Sequence, residues 1–96
     1  MDKETILQQL VQFKKSNASK FGIVKLGIFG SVARDTNAVG SDLDIVVELN
    51  KHNLFNSIGL KNSLSDYFGI PVDLISLGDH LRPIIKSRIE KEAIYV

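Results

Sequence analysis

Two aspartates, Asp42 and Asp44, open an otherwise apolar run that extends to Leu49. Alternate residues of a β-strand project to the same face, so both carboxylates are expected to share one face while Leu43 and Ile45 point into the core. Like charges placed together and away from water are costly. A divalent cation reverses that cost, and Mg²⁺ prefers oxygen ligands from carboxylates, water and phosphate. The pattern therefore indicates a site for two metal ions in phosphoryl or nucleotidyl transfer.

A third aspartate, Asp73, lies in the later apolar segment Pro71–Leu77. If this segment is a strand beside the one that carries Asp42 and Asp44, Asp73 joins the carboxylate pair. It can then hold metal or steer the proton of an attacking hydroxyl. Two alternatives remain open. Asp42 and Asp44 could be solvated carboxylates where a strand begins at the surface, and Asp73 could be an edge-strand charge or the partner of a lysine.

Gly30 and Ser31 end the β-branched, apolar segment Ile23–Phe29. Glycine lets the backbone approach phosphate oxygens closely, and a short helix that begins at Ser31 offers N–H groups and a hydroxyl to a triphosphate. A turn and a helix cap are the alternatives for these two residues. Arg34 is expected to contact phosphate or a partner protein, with a structural ion pair equally open.

Helical and strand patterns alternate along the chain, which favours an α/β layer fold. The long connection between the second and third strands suits a helical crossover and hence a parallel pair, whereas the shorter first connection favours a mixed sheet. The segments "SNASKFG" and "DTNAVGS" are expected to be loops. The expected elements are a helix at 3–16, a strand at 23–29, a short helix from Ser31, a strand at 42–49, a helix from the cap Asn53 to Phe68, a strand at 71–77, a last helix opened by "GDH" or by Pro83, and a strand in "AIYV".

The 96 residues suit a single domain, residues 1–96, with one core. Twelve basic and eleven acidic side chains give a net charge of +1, which argues against a dedicated nucleic-acid binder. No cysteine is present, so disulfides and thiolate chemistry are excluded, and His52 and His80 lack metal-ligand spacing. Without a signal-peptide pattern or an apolar run of about 18 residues, no membrane association is expected and the cytoplasm is the expected location.

The spacing of these residues resembles a known family signature. Gly30-Ser31, ten further residues and then Asp42-Leu43-Asp44 match the G-S-x10-D-x-D pattern of the DNA polymerase β-like nucleotidyltransferases. The segments "FGSVAR" and "SDLDIVVE" are similar to the corresponding segments of the minimal nucleotidyltransferases. Where that family has glycine after "AR", this chain has Asp35. Aspartate tolerates a left-handed backbone, so we expect the fold to be retained. Its negative charge near the phosphate site is expected to affect the affinity for the nucleotide.

The resemblance implies a polymerase β-like palm fold, with a small mixed β-sheet and helices packed mainly on one face. It also implies a Mg²⁺-dependent nucleotidyltransferase, using two ions and ATP, that transfers AMP to a HEPN-family partner and acts as an antitoxin. The resemblance also implies the roles of the matching residues. The catalytic, metal-binding residues would be Asp42, Asp44 and Asp73. The nucleotide-binding residues would be Gly30, Ser31 and Arg34.

Two other functions compete with this interpretation. The first is a non-catalytic antitoxin, or binding subunit, that blocks a HEPN partner sterically and keeps the nucleotide fold as a scaffold. The second is a fragment of a tRNA or antibiotic nucleotidyltransferase, which the near-neutral charge disfavours. Whether the chain assembles as a hetero-oligomer or a homodimer is left open by the sequence, as are the nucleotide and the acceptor.

Overall fold

The computed structural model describes residues 2–34 and 42–96. In these residues the expected order of helices and strands is confirmed, and the loop expected at 35–41 lies outside them. The elements are α1 (Lys3–Phe21), β1 (Ile23–Phe29), α2 (Gly30–Ala33), β2 (Leu43–Leu49), α3 (Leu54–Phe68), β3 (Val72–Ser76), α4 (Pro83–Glu92) and β4 (Ile94–Tyr95).

The four strands form one sheet in the order β3-β2-β1-β4. β1 pairs antiparallel with both β2 and β4, whereas β2 and β3 are parallel. The parallel pair is joined through α3, because a parallel connection must return across the sheet and a helix makes that return. The predicted mixed sheet is therefore confirmed, with the two aspartate-bearing strands as neighbours.

The two faces of the sheet are covered unequally. α1 and α3 pack on one face, where Ile6, Leu10, Leu60 and Leu64 meet the strand residues Leu26, Ile28, Ile45 and Val47. The other face, called here the α4 face, has a smaller apolar cluster formed by Phe29, Val46 and Ile89. Burial of each large apolar side chain contributes roughly 1.5–3 kcal/mol, so most of the stability lies on the face with two helices. The expectation of helices mainly on one face is confirmed.

α1 is longer than its sequence pattern suggested. Asp2 caps its start by accepting a hydrogen bond from the Thr5 N–H at 2.8 Å, and Gly22, with φ of 71°, ends it. The prediction of a helix ending near residue 16 followed by a loop was wrong. The polar residues of "SNASK" lie on solvated turns, and buried Phe21 anchors the extension.

α3 has the predicted ends but a narrower core face. Asn53 accepts a hydrogen bond from the Asn56 N–H at 2.8 Å, and Gly69 ends the helix with φ of 70°. The buried positions are Leu60, Leu64 and Phe68. The other apolar residues expected to pack, Leu54, Phe55, Ile58 and Tyr67, are exposed.

α4 begins at Pro83, one of the two starts that the sequence left open. Pro is favoured at a first helical position, because its missing N–H would have no intrahelical partner there. The expected shared face of Leu81, Ile84, Ile85 and Ile89 is only partly correct: Leu81 precedes the helix and Ile84 is exposed. None of the helices within residues 2–34 and 42–96 has the length and apolarity needed to cross a membrane.

Candidate active site

The strand register places Asp44 directly beside Asp73. In the parallel β2–β3 pair these two residues are Cα partners, so their side chains project from the same face. Asp42 precedes β2, which begins at Leu43 rather than at Asp42 as expected, and its side chain is exposed. The Leu43 N–H donates to the Pro71 carbonyl at 3.1 Å and fixes the two strand starts together.

Strand alternation puts Asp44 on the α4 face. Asp44 and Val46 point the same way, and Val46 is buried against Phe29 and Ile89. α4 therefore covers the middle of this face, while Asp44, near the beginning of β2, stays half-buried at the edge of that cover. Asp73 is exposed. We call the group of Asp42, Asp44 and Asp73 the carboxylate end of the face.

The electrostatics of Asp44 reflect this placement. Partial burial raises the pKa of the Asp44 carboxyl, and the negative charges of Asp73 and Asp42 raise it further. The nearby positive charge of Arg34 acts in the opposite direction and lowers it. The three carboxylates are thus close enough to repel one another, which is the condition that a bound cation relieves.

The donor set suits a hard divalent cation, which prefers carboxylate oxygens. In the part of the chain that the structure describes, however, no three or more histidine, aspartate or glutamate side chains are already grouped as metal ligands. Asp42 and Asp73 are exposed, so their carboxylates have room to rotate toward Asp44. The role of the three aspartates as metal ligands remains a prediction.

Gly30 lies against Asp44, and only a glycine fits there. Its φ is +71°, a left-handed conformation that L side chains rarely adopt. A Cβ at this position would collide with the Asp44 Oδ2 and lie 3.1 Å from its Cγ. The backbone therefore passes directly beside the carboxylate. α2 begins at Gly30, one residue earlier than expected, and half-buried Ser31 lies in its only turn.

Arg34 follows α2 and forms an ion pair that the sequence did not identify. Its Nη1 lies 3.5 Å from the Glu92 Oε1, at the end of α4. The structural alternative for Arg34 is thus observed, and a contact with phosphate remains a prediction. Nothing in the sequence pointed to Glu92, because the pairing depends on how α4 crosses the sheet and no local pattern encodes that.

Comparison with known proteins places this site in context. The family model for a nucleotidyltransferase domain matches residues 10–96. A relative in Methanocaldococcus jannaschii, provisionally named protein adenylyltransferase, is 37% identical over 92 residues, which cover 95% of this chain and 94% of the relative. The protein adenylyltransferase MntA of Thermococcus cleftensis is 32% identical over 94 residues, covering 97% and 94% of the two chains.

Solved structures share the fold. One described provisionally as a minimal nucleotidyltransferase superposes with a TM-score of 0.81 at 33% identity, covering 98% of this chain and 95% of that one. A toxin–antitoxin structure with AMP-PNP superposes with a TM-score of 0.74 at 18% identity, covering 92% and 69%. At that identity the second likeness supports the fold alone.

Proposed function

The chain belongs to the nucleotidyltransferase domain family, and we propose that it transfers AMP from ATP to a hydroxyl group on a protein, with Mg²⁺ as cofactor. The expected family and enzyme class are confirmed by the match over residues 10–96. The observation that carries the finer proposal is the placement of Asp44 beside Asp73 with the Gly30 backbone against it. Carboxylates next to a closely approaching backbone suit a metal-bound phosphate chain.

Each residue then has a definite role. Asp42, Asp44 and Asp73 would hold Mg²⁺, which supplies positive charge for the developing negative charge on the phosphates. The backbone at Gly30 and Ser31 would approach the triphosphate, and Gly30 already lies against the Asp44 carboxylate that would hold the metal. Arg34 adds a guanidinium that can donate to phosphate oxygens.

The transfer exchanges the phosphoanhydride bond between the α- and β-phosphates of ATP for an ester bond to the acceptor. The acceptor hydroxyl oxygen bonds to the α-phosphorus of ATP, the bond from that phosphorus to the bridging oxygen breaks, and pyrophosphate leaves. Asp73 would receive the hydroxyl proton, and its exposed side chain beside Asp44 supports this role.

The proposed acceptor is a HEPN-family toxin, which would make this chain an antitoxin. Its relatives named protein adenylyltransferase support a protein acceptor. Solved structures with the same fold include MntA–HepT toxin–antitoxin complexes. Exposed apolar side chains at the start of α3, with Phe55 88% exposed and Leu54 71%, also favour a protein-binding role.

The same exposed surface favours the second candidate function, a non-catalytic antitoxin that blocks its partner sterically. Both functions need a protein partner, so binding alone does not separate them. They differ in whether the partner acquires a covalent nucleotide and in whether the carboxylates are needed.

A co-expression experiment separates the two functions. The chain and a HEPN-family toxin from the same genome are expressed together, and cell growth is measured alongside the intact mass of the toxin. We expect wild type to restore growth and to add the mass of AMP to the toxin, and Asp42→Asn with Asp44→Asn to do neither. Full rescue by this double variant, with no added mass on the toxin in either case, would establish the steric function.

A further inference from the structure

Glu92 lies between two guanidinium groups at the end of α4. Its Oε1 is 3.5 Å from the Arg34 Nη1, and its Oε2 is 3.7 Å from the Arg88 Nε. The Oε2 is buried and has no hydrogen-bond partner among the described residues. A buried carboxylate oxygen without a hydrogen bond depends on nearby positive charge. Glu92 is therefore held where both arginines reach it.

The Glu92 side chain is less exposed than the Arg34 side chain with which it pairs, 27% against 41%. Ile89, one turn before Glu92, is buried against Phe29 and Val46. Arg34 follows a helix of four residues, and its side chain is 41% exposed. A long, exposed arginine samples many rotamers, so an ion pair to a fixed residue restricts where its guanidinium lies.

Arg34 is also coupled to the carboxylate end. The Arg34 backbone N–H donates to the Gly30 carbonyl at 3.1 Å, and Gly30 lies directly against the Asp44 carboxylate. An arginine has N–H donors on three nitrogens. The contact to Glu92 involves Nη1, so Nε and Nη2 remain to serve a phosphate beside Asp44.

We propose that Glu92 is a positioning residue for nucleotide binding: it holds the Arg34 guanidinium beside Asp44 so that Arg34 meets the phosphates of ATP. This inference rests on the proposed function for its ligand, and it adds a residue from α4 that does not itself contact the nucleotide.

The test is a double-mutant cycle on the full chain, with the dissociation constant of MgATP measured by titration calorimetry. Arg34→Ala should weaken binding about tenfold, because a charged hydrogen bond to phosphate is lost. Glu92→Gln should weaken it about two- to fivefold, the range for a partly exposed ion pair. In the Arg34→Ala background, Glu92→Gln should have no further effect, because Glu92 acts only through Arg34.

Glu90→Gln is the matched control. It makes the same chemical change on the same helix, two residues away, and faces a cavity at the other end of the sheet. It should leave the MgATP dissociation constant within about twofold of wild type, since it touches neither arginine. If Glu92→Gln does not fold, as judged by its thermal melt, Glu92→Asp, which keeps the charge on a shorter side chain, takes its place in the cycle.

Two results would overturn the inference: unchanged or tighter binding in Glu92→Gln, or equal weakening in the presence and absence of Arg34. AMP transfer to the toxin is measured in parallel. A wild-type chain that binds MgATP but transfers nothing contradicts the proposed function, and the binding cycle still decides the role of Glu92. A wild-type chain that does not bind MgATP contradicts both.

Discussion

The α4 face carries charged side chains at both ends, and the two ends balance their charges differently. At the carboxylate end, partial burial and then the charges of Asp73 and Asp42 raise the pKa of Asp44. At the other end, a cavity of about 310 Å³ is lined by Lys25, Lys86, Glu48 and Glu90, among others. We call this second region the mixed-charge end. Asp79 also lines this cavity, and Lys25 lies opposite Glu48 in the strand register.

On the proposed function, the arrangement of charge, rather than the presence of a cavity, marks the reactive region. At the mixed-charge end, carboxylates and lysines line the same cavity. The pKa of Tyr95 at this end is raised, chiefly by burial and then by the negative charges of Glu48 and Glu90. At the carboxylate end like charges accumulate, and Arg34, whose positive charge acts on Asp44, is itself paired with Glu92. That excess of negative charge favours the binding of a cation.

The largest expected effect separates the two ends by activity. Asp42→Asn with Asp44→Asn should reduce the rate of AMP transfer by about 10³-fold or more, because loss of metal-ligand charge removes the main electrostatic stabilisation of phosphoryl transfer. Transfer from labelled ATP to the purified toxin measures the rate. Glu48→Gln with Glu90→Gln, the same change at the mixed-charge end, should retain most of the activity.

A reversed outcome, with transfer lost only in the Glu48 and Glu90 double variant, would move the active site to the mixed-charge end. Equal losses in both double variants, with unchanged thermal melts, would mean that the two ends act as one site. Either result would show that the arrangement of charge does not distinguish the active site from the mixed-charge end.

The second effect concerns the backbone next to Asp44. Gly30 and Gly69 have nearly the same φ, +71° and +70°, but a Cβ would meet Asp44 at Gly30 and nothing within 4 Å at Gly69. Alanine at either position costs about 1–2 kcal/mol of backbone strain. Gly30→Ala should cost about 1–3 kcal/mol more, because it must also displace the Asp44 side chain.

Urea unfolding and the transfer assay together measure this difference. Gly30→Ala should lose both stability and activity, whereas Gly69→Ala should lose stability alone. If the two variants lose the same stability and keep the same activity, the close approach of the backbone to Asp44 has no functional role.

The carboxylate end could be anticipated from sequence because its pattern is local. Strand alternation predicts where Asp44 points, and Gly30, the first residue of α2, is visible directly after an apolar strand. Asp73 needed one further step, the inference that a helical crossover makes β2 and β3 parallel, and the register confirms that Asp44 and Asp73 are neighbours.

The remaining features depend on tertiary contacts and could not be derived in the same way. The pairing of Arg34 with Glu92 joins residues from α2 and α4, whose relative position follows from packing of Ile89 on the sheet. The extension of α1 depends on burial of Phe21, which outweighs the polar composition of the preceding turn. The exposure of Phe55 was missed because a helical pattern identifies apolar positions but not which of them the protein covers.

The third effect is ligand-induced stabilisation, which should belong to the carboxylate end alone. MgATP at tenfold excess over its dissociation constant should stabilise the native state by about 1.4 kcal/mol. For a domain of this size that corresponds to a rise in melting temperature of roughly 5–10 °C. Differential scanning calorimetry should show the rise in wild type and in Glu48→Gln, and not in Asp42→Asn with Asp44→Asn. A rise that persists in the aspartate variant would place the nucleotide elsewhere.

The smallest effect is the pH dependence of stability that arises from Asp44. Its pKa is raised in the folded protein, so above the ordinary aspartate pKa, about 3.9, the native state holds more protons at this site than the unfolded state does. The free energy of unfolding contributed by Asp44 therefore falls as pH rises from that value through the raised pKa. At neutral pH, Asp44 destabilises the metal-free protein.

Asp44→Asn should consequently be more stable than wild type at pH 7 without Mg²⁺, by less than about 1 kcal/mol because the carboxylate is partly solvated. The gain should shrink as the pH is lowered toward 4 and vanish below it, where the unfolded aspartate is also protonated. Urea melts between pH 3 and pH 7 in the presence of a chelator measure the gain. Glu48→Gln supplies the comparison, because its carboxylate lies opposite Lys25 and its removal should give no gain. A variant at Asp44 that is less stable than wild type at pH 7 would show that its charge is already compensated within the protein, and that the two ends do not differ in charge balance.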